Sequence, residues 1–157
     1  MAERVKVSGR KRRRFASLDE VLSEARALAQ VPTKQLGSWS LGQVCKHLGT
    51  AMELSTCGTH PFKVPLLLRF KARLARRILL ERGLPSGFEL PPDGAKVLVP
   101  PPTSVDEGLA MLERGIERLG QTTDRVPHPV FGAMNAAQWD LFHLRHSEMH
   151  LSFIVPE

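Results

Sequence analysis

Three of the chain's histidines fall at helical spacing in the run Trp139-Asp140-Leu141-Phe142-His143-Leu144-Arg145-His146-Ser147-Glu148-Met149-His150. On a helix turning about 100° per residue they share one narrow arc with Trp139, Phe142, Phe153 and Ile154, the side that faces a core. Residues four apart have Cβ atoms about 5–6 Å apart, so His146 and His150 can offer two imidazoles to one cation. His143 and His146, three apart, would serve nearly as well. A third ligand must come from a facing helix, and the segment Leu41-Gly42-Gln43-Val44-Cys45-Lys46-His47-Leu48 supplies one. Its apolar arc is centred on Val44, Leu48, Ala51, Met52 and Ser55, with His47 at the edge, where a side chain reaches into a cleft between helices. Three neutral imidazoles suit Zn²⁺, Ni²⁺ or Fe²⁺ and leave positions open for water or substrate. Such an ion lowers the pKa of water to about 7 or activates a thiolate. The same pattern also suits hydrogen-bonded core histidines, and spacing alone does not separate the two.

The remaining reactive side chains are less pointed. His143 would contact a substrate from one turn above the metal or simply pack in the core. His128, between Pro127 and Pro129, would fix the loop ahead of Phe131 or line a pocket mouth. Asp140 lies one turn before His143, as an orienting carboxylate or a helix-start charge. Glu148 is on the opposite face and reads as solvated, and His60, beside Pro61, reads as an exposed loop residue. Cys45 and Cys57 have no zinc-knuckle or redox spacing and read as reduced core or near-core residues. The sequence has no Gly-rich phosphate loop, no Gly-x-Ser-x-Gly elbow and no paired-carboxylate motif.

These residues must be positioned by helices. Four segments open with a short polar residue followed three positions later by Glu or Gln: Ser17 with Glu20, Ser40 with Gln43, Ser104 with Glu107, and Asn135 with Gln138. The spacing predicts helices near 18–30, 41–56, 65–82, 105–119 and 136–154, the third opening at Pro65 and stopping at Gly83. The second is expected to end towards Gly58. Between the third and fourth lies a crossover carrying Pro85, Pro91, Pro92, Pro100, Pro101 and Pro102, where proline density argues against helix; Lys96-Val97-Leu98-Val99 reads as a short extended piece. In the third helix, Leu67, Phe70, Leu74 and Ile78 form a stripe assigned to the bundle core, with interfacial membrane attachment as a minor alternative. Its arginines form a possible rim for an anionic substrate. The expected architecture is all-α, a bundle of four principal helices plus one extra.

With 157 residues and 42% hydrophobic content, the chain can bury one core. The expected organisation is a flexible basic arm over 1–14 and a single domain over 15–157. The net charge of +6 and pI near 9.9 invite an anionic partner. Much of that charge is local, in Lys6 and Arg10 to Arg14 and in Arg69 to Arg77. Without tyrosine, and with only Phe15 beside the arm, the stacking platforms of single-strand binders are missing, so a frayed tail and a solvated helix face are favoured over nucleic acid. No apolar run would span a bilayer and no signal-peptide segment follows the first methionine. Arg12-Arg13-Arg14-Phe15 lacks the apolar stretch of a twin-arginine signal, and a cytoplasmic location is expected.

The order of Trp39-Ser40-Leu41-Gly42-Gln43 with His47-Leu48, a long crossover, His128-Pro129-Val130-Phe131-Gly132 and a final His146-x3-His150-Leu-Ser-Phe resembles the DinB and YfiT-type superfamily, specifically an uncharacterised bacterial branch. The resemblance covers about Arg13 to Phe153. It implies a four-helix bundle whose divalent metal is held by His47, His146 and His150. It also implies metal-dependent transfer of low-molecular-weight thiols such as bacillithiol, mycothiol or glutathione, or hydrolysis with metal-activated water, and a homodimer. Many relatives carry Gln where Phe153 stands, so one polar group beside the site is missing. The competing reading is a non-catalytic helical binding or assembly module with structural histidines and an anionic partner.

Overall fold

The computed structural model describes residues 7–57 and 64–157. The expected end of the second helix at Gly58, and His60, lie outside the described residues. Among the described residues six helices follow in order: α1 (Leu18–Ala29), α2 (Leu41–Leu54), α3 (Leu66–Arg82), α4 (Pro92–Leu98), α5 (Val105–Gln121) and α6 (Ala136–Leu151). The four helix-start signals all act as caps: Ser17, Ser40, Ser104 and Asn135 each accept from the backbone N–H three residues on. At Ser40 and Asn135 the box is reciprocal, since Gln43 and Gln138 accept from the cap residue's own N–H.

Helices α1, α2, α5 and α6 enclose the core, in which Val21, Ala25, Val44, Leu48, Met52, Leu112 and Leu151 are fully or almost fully buried. The fold is therefore an all-α bundle. Its closest helix pair is α2 on α5, and glycine makes that approach possible. A Cβ on Gly49 would land on the Met111 carbonyl, and one on Gly108 would land on the Gly42 carbonyl. Backbone cannot yield as a flexible side chain does, so Gly49→Ala is expected to cost roughly 2–3 kcal/mol, near the upper end for overpacking. Urea unfolding checks this, and an unchanged midpoint would refute the close contact.

Four expectations are corrected. The crossover contains a helix: Pro91 and Pro92 stand at its N-terminus, where no N–H is needed, so Lys96–Leu98 belong to α4 and are not extended. The last helix stops at Leu151, because Ile154–Pro156 (β2) pairs antiparallel with Thr33–Gln35 (β1), Gln35 opposite Ile154. The α3 stripe is not core: Leu67, Phe70, Leu74 and Ile78 are exposed, because α3 lies outside the bundle with only its other side on α6. Glu148 is not solvated. It is 8% exposed, its Oε1 accepts from Arg145 Nη1 at 2.7 Å and from the Phe15 N–H at 2.8 Å, and the covering comes from the chain before α1.

The end of the basic arm is held against the bundle. Arg13 donates to the Leu151 carbonyl at 2.6 Å and pairs with Glu24, while Arg10 donates to Ser152 Oγ and Ser86 Oγ and lies 4.0 Å over the Phe153 ring. Of the cysteines, Cys45 is buried as expected and its thiol pKa is pushed up to about 12 by burial; Cys57 is exposed, and both are free.

Candidate metal centre

His47 is carried by α2, and His146 and His150 by consecutive turns of α6, whose cap at Asn135 and packing at Phe142 set the rotation of the helix. Their ligand-capable nitrogens all lie within 4.8 Å of one another. His146 Nε2 is 3.2 Å from His47 Nε2 and 3.1 Å from His150 Nε2. Ligands at about 2.0–2.1 Å from a tetrahedral zinc stand about 3.3 Å apart, so the spacing is that of neighbours in one coordination shell.

Proton positions favour the same conclusion. His47 Nδ1 is 2.7 Å from the Leu98 carbonyl, which only accepts, so Nδ1 carries the hydrogen and Nε2 presents a lone pair inward. That carbonyl is free for this role because it ends α4, where the last C=O groups have no helical partner. Gln43 holds the same stretch by donating to the Pro100 carbonyl at 3.1 Å. His146 Nε2 can direct at most one hydrogen at its two neighbours, and its buried Nδ1 has no partner. No placement of hydrogens on neutral rings gives each of the two N···N contacts a straight hydrogen bond. Protonation offers little relief: burial lowers the pKa of His47 to about 4, despite the opposing pull of its hydrogen bond to Leu98. It also holds His146 and His150 well below 6.5, with neighbouring rings adding to the effect. A cation among the three nitrogens satisfies all of them, so the donor set fits a transition metal.

Aromatic walls hold the rings in place. Trp39 stacks on His150, centroids 5.3 Å apart and 12° between planes, and lies 4.8 Å from the His47 ring. Phe142 stacks on His146 at 5.3 Å. Sequence reasoning placed Trp39 only within a motif and had no signal for the Leu98 carbonyl, since a backbone acceptor leaves no trace in residue type.

The other candidates are given different partners. His143 is 1% exposed and lies against Trp139 and Phe142, its Nε2 3.2 Å from Ser55 Oγ. Because Ser55 gives its own hydrogen to the Met52 carbonyl, His143 Nε2 is the donor, and it is turned away from the triad. His128 Nδ1 accepts from the N–H groups of Val130 and Phe131, and its backbone pairs with Gly132, fixing the loop. Asp140 pairs with Arg125 rather than His143.

Burial drives the His143 pKa down to about 3 from its ordinary 6.5, and the Arg125 charge adds to this. Above 6.5 the ring is neutral in both folded and unfolded chains; below it the unfolded chain gains a proton that the folded one refuses, so stability falls between 6.5 and about 3. At about pH 5 the loss from this ring is roughly 2 kcal/mol. A His143→Gln variant is expected to show a correspondingly smaller difference in urea-derived stability between neutral pH and pH 5; an equal difference would refute the assignment.

Fold and centre together define a helical-bundle protein with a three-histidine cluster between α2 and α6 that could hold a metal ion. The chain belongs to the DUF1569 family, a protein family of unknown function, whose profile matches residues 8–157. No match is found among curated proteins or solved structures.

Proposed function

We propose that this chain is a metal-dependent enzyme of DinB/YfiT type, in which His47, His146 and His150 hold a divalent transition ion, Zn²⁺, Ni²⁺ or Fe²⁺. The observation that carries the reading is the convergence of three Nε2 atoms, one of them forced to present its lone pair by the Leu98 carbonyl. When bound, the ion supplies Lewis-acid activation of a thiol or of water at neutral pH. The chain's own contribution is orientation and exclusion of solvent: Trp39 and Phe142 fix the rings, and Leu98 holds the tautomer of His47. His146 and His150 are only partly buried, which leaves room for a small substrate to approach. His143 Nε2 is taken up by Ser55 and Asp140 by Arg125, so neither is offered to the cluster as a proton acceptor, which favours activation by the ion. A low-molecular-weight thiol is the preferred substrate, with hydrolysis of a small molecule as the alternative reaction. The free cysteines agree with action in the reducing cytoplasm.

The test is thiol consumption. Metal-loaded protein is incubated with glutathione, bacillithiol or mycothiol and a panel of small electrophiles, and free thiol is followed with and without chelator. Chelator-sensitive loss of thiol supports a transferase; metal-dependent hydrolysis without loss of thiol moves the assignment to the alternative. No metal-dependent turnover of either kind would overturn the enzymatic reading.

A further inference from the structure

Helix α3 has two sides of opposite character. The inner side is held: Leu80 is buried with Phe131, Met134, Trp139 and Phe142, and Arg76 donates to the Ala133 carbonyl at 2.8 Å. The outer side is apolar and open. Leu66, Leu67, Phe70, Leu74 and Ile78 are 78, 66, 62, 70 and 54% exposed. At 100° per residue they span an arc of about 120°. Lys71 and Arg82 border that arc on one flank and Arg73 on the other, while Arg77 and Glu81 fall inside it towards the C-terminal end of the helix. The helix's lone acid, Glu81, is paired with Arg77.

We propose that this face is a docking site for the surface of an anionic lipid bilayer. The helix would lie in the interfacial plane, with its apolar arc at the headgroup–acyl boundary and its basic flanks among the lipid phosphates. Charge decides between occupants. A second copy of the face would set cationic borders against cationic borders, which opposes a symmetric α3–α3 dimer. Nucleic acid would meet the basic flanks and leave the apolar arc in water. An anionic membrane satisfies both the flanks and the arc. No helix of the described residues is long and apolar enough to cross a bilayer, so the attachment is peripheral. The proposal stands independently of the histidine cluster.

Vesicle co-sedimentation of the full chain tests it, using phosphatidylcholine alone and an equal mixture with phosphatidylglycerol, at low and high salt. The wild type is expected to sediment with the anionic vesicles, less so at high salt, and not with the neutral ones. Lys71→Gln/Arg82→Gln should lower partitioning about fivefold per charge removed. Leu67→Ser/Leu74→Ser should abolish sedimentation while leaving the circular dichroism spectrum unchanged, since both side chains are exposed in the wild type. Failure of the wild type to bind anionic vesicles would overturn the proposal, as would binding that the Leu67→Ser/Leu74→Ser variant retains. So would a dimer, seen by sedimentation velocity, that this variant breaks, because the face would then belong to a second copy.

Discussion

A His146→Ala/His150→Ala variant is expected to leave purification without transition metal, where untagged wild type carries about one equivalent by plasma mass spectrometry. His47→Ala should weaken binding by more than the 10–100-fold typical of losing a group that merely orients a ligand, because it removes a ligand itself. Circular dichroism separates this from unfolding, and the three histidines are not among the residues that build the core, such as Val21, Val44, Leu48, Leu112 and Leu151. Burial lowers the proton affinity of all three rings, so protons compete poorly for the nitrogens and metal should be retained below pH 6.5. Absence of metal from the wild type, even after incubation with Zn²⁺, Ni²⁺ or Fe²⁺ under reducing conditions, would sink the assignment.

Glu148→Ala is expected to destabilise the fold by roughly 3–5 kcal/mol, read from urea unfolding. The Arg145 side chain is 4% exposed, and both Glu148 oxygens lie within 2.8 Å of its Nη1. Removing the carboxylate leaves a buried guanidinium without its anion and the Phe15 N–H without its acceptor. The cost therefore arises from the group left behind. Replacing both partners, as in Arg145→Met/Glu148→Leu, should recover most of the loss, because two desolvated charges disappear together. If the double variant were as unstable as Glu148→Ala, the penalty would lie in shape rather than charge.

Much of this architecture could be read from residue order, because the signals are local. A capping side chain and its Glu or Gln partner sit three positions apart, so Ser17, Ser40, Ser104 and Asn135 announce helix starts without knowledge of the fold. The pairing of His146 with His150 is equally local. What sequence leaves open is decided by distant chain. His143 shares their arc, and its hydrogen bond goes instead to Ser55, at the C-terminal end of α2. Glu148 lies on the correct face by periodicity, but its solvation depends on Phe15 and Arg14 closing over it. For α3, periodicity identifies an amphipathic helix and says nothing of which medium meets its apolar side. The approaches of Gly49 to Met111 and of Gly108 to Gly42 are invisible until the register of α2 against α5 is known.

The pairing of β1 with β2 bears on the thermodynamics of ion capture. It ties the strand leading to Trp39 to the segment that follows His150, with Leu36 N–H donating to the Phe153 carbonyl at 2.8 Å. His150, a proposed ligand, and the Trp39 ring stacked on it are thus anchored to one another by backbone, at a point distant in sequence. On the proposed assignment, the rotational freedom that three imidazoles must lose to meet one ion is lost when the chain folds, and little of that cost would remain for the binding step. Preorganisation of this kind makes affinity a property of the whole bundle: a substitution that loosens the clasp would weaken capture of the ion without altering any nitrogen that touches it.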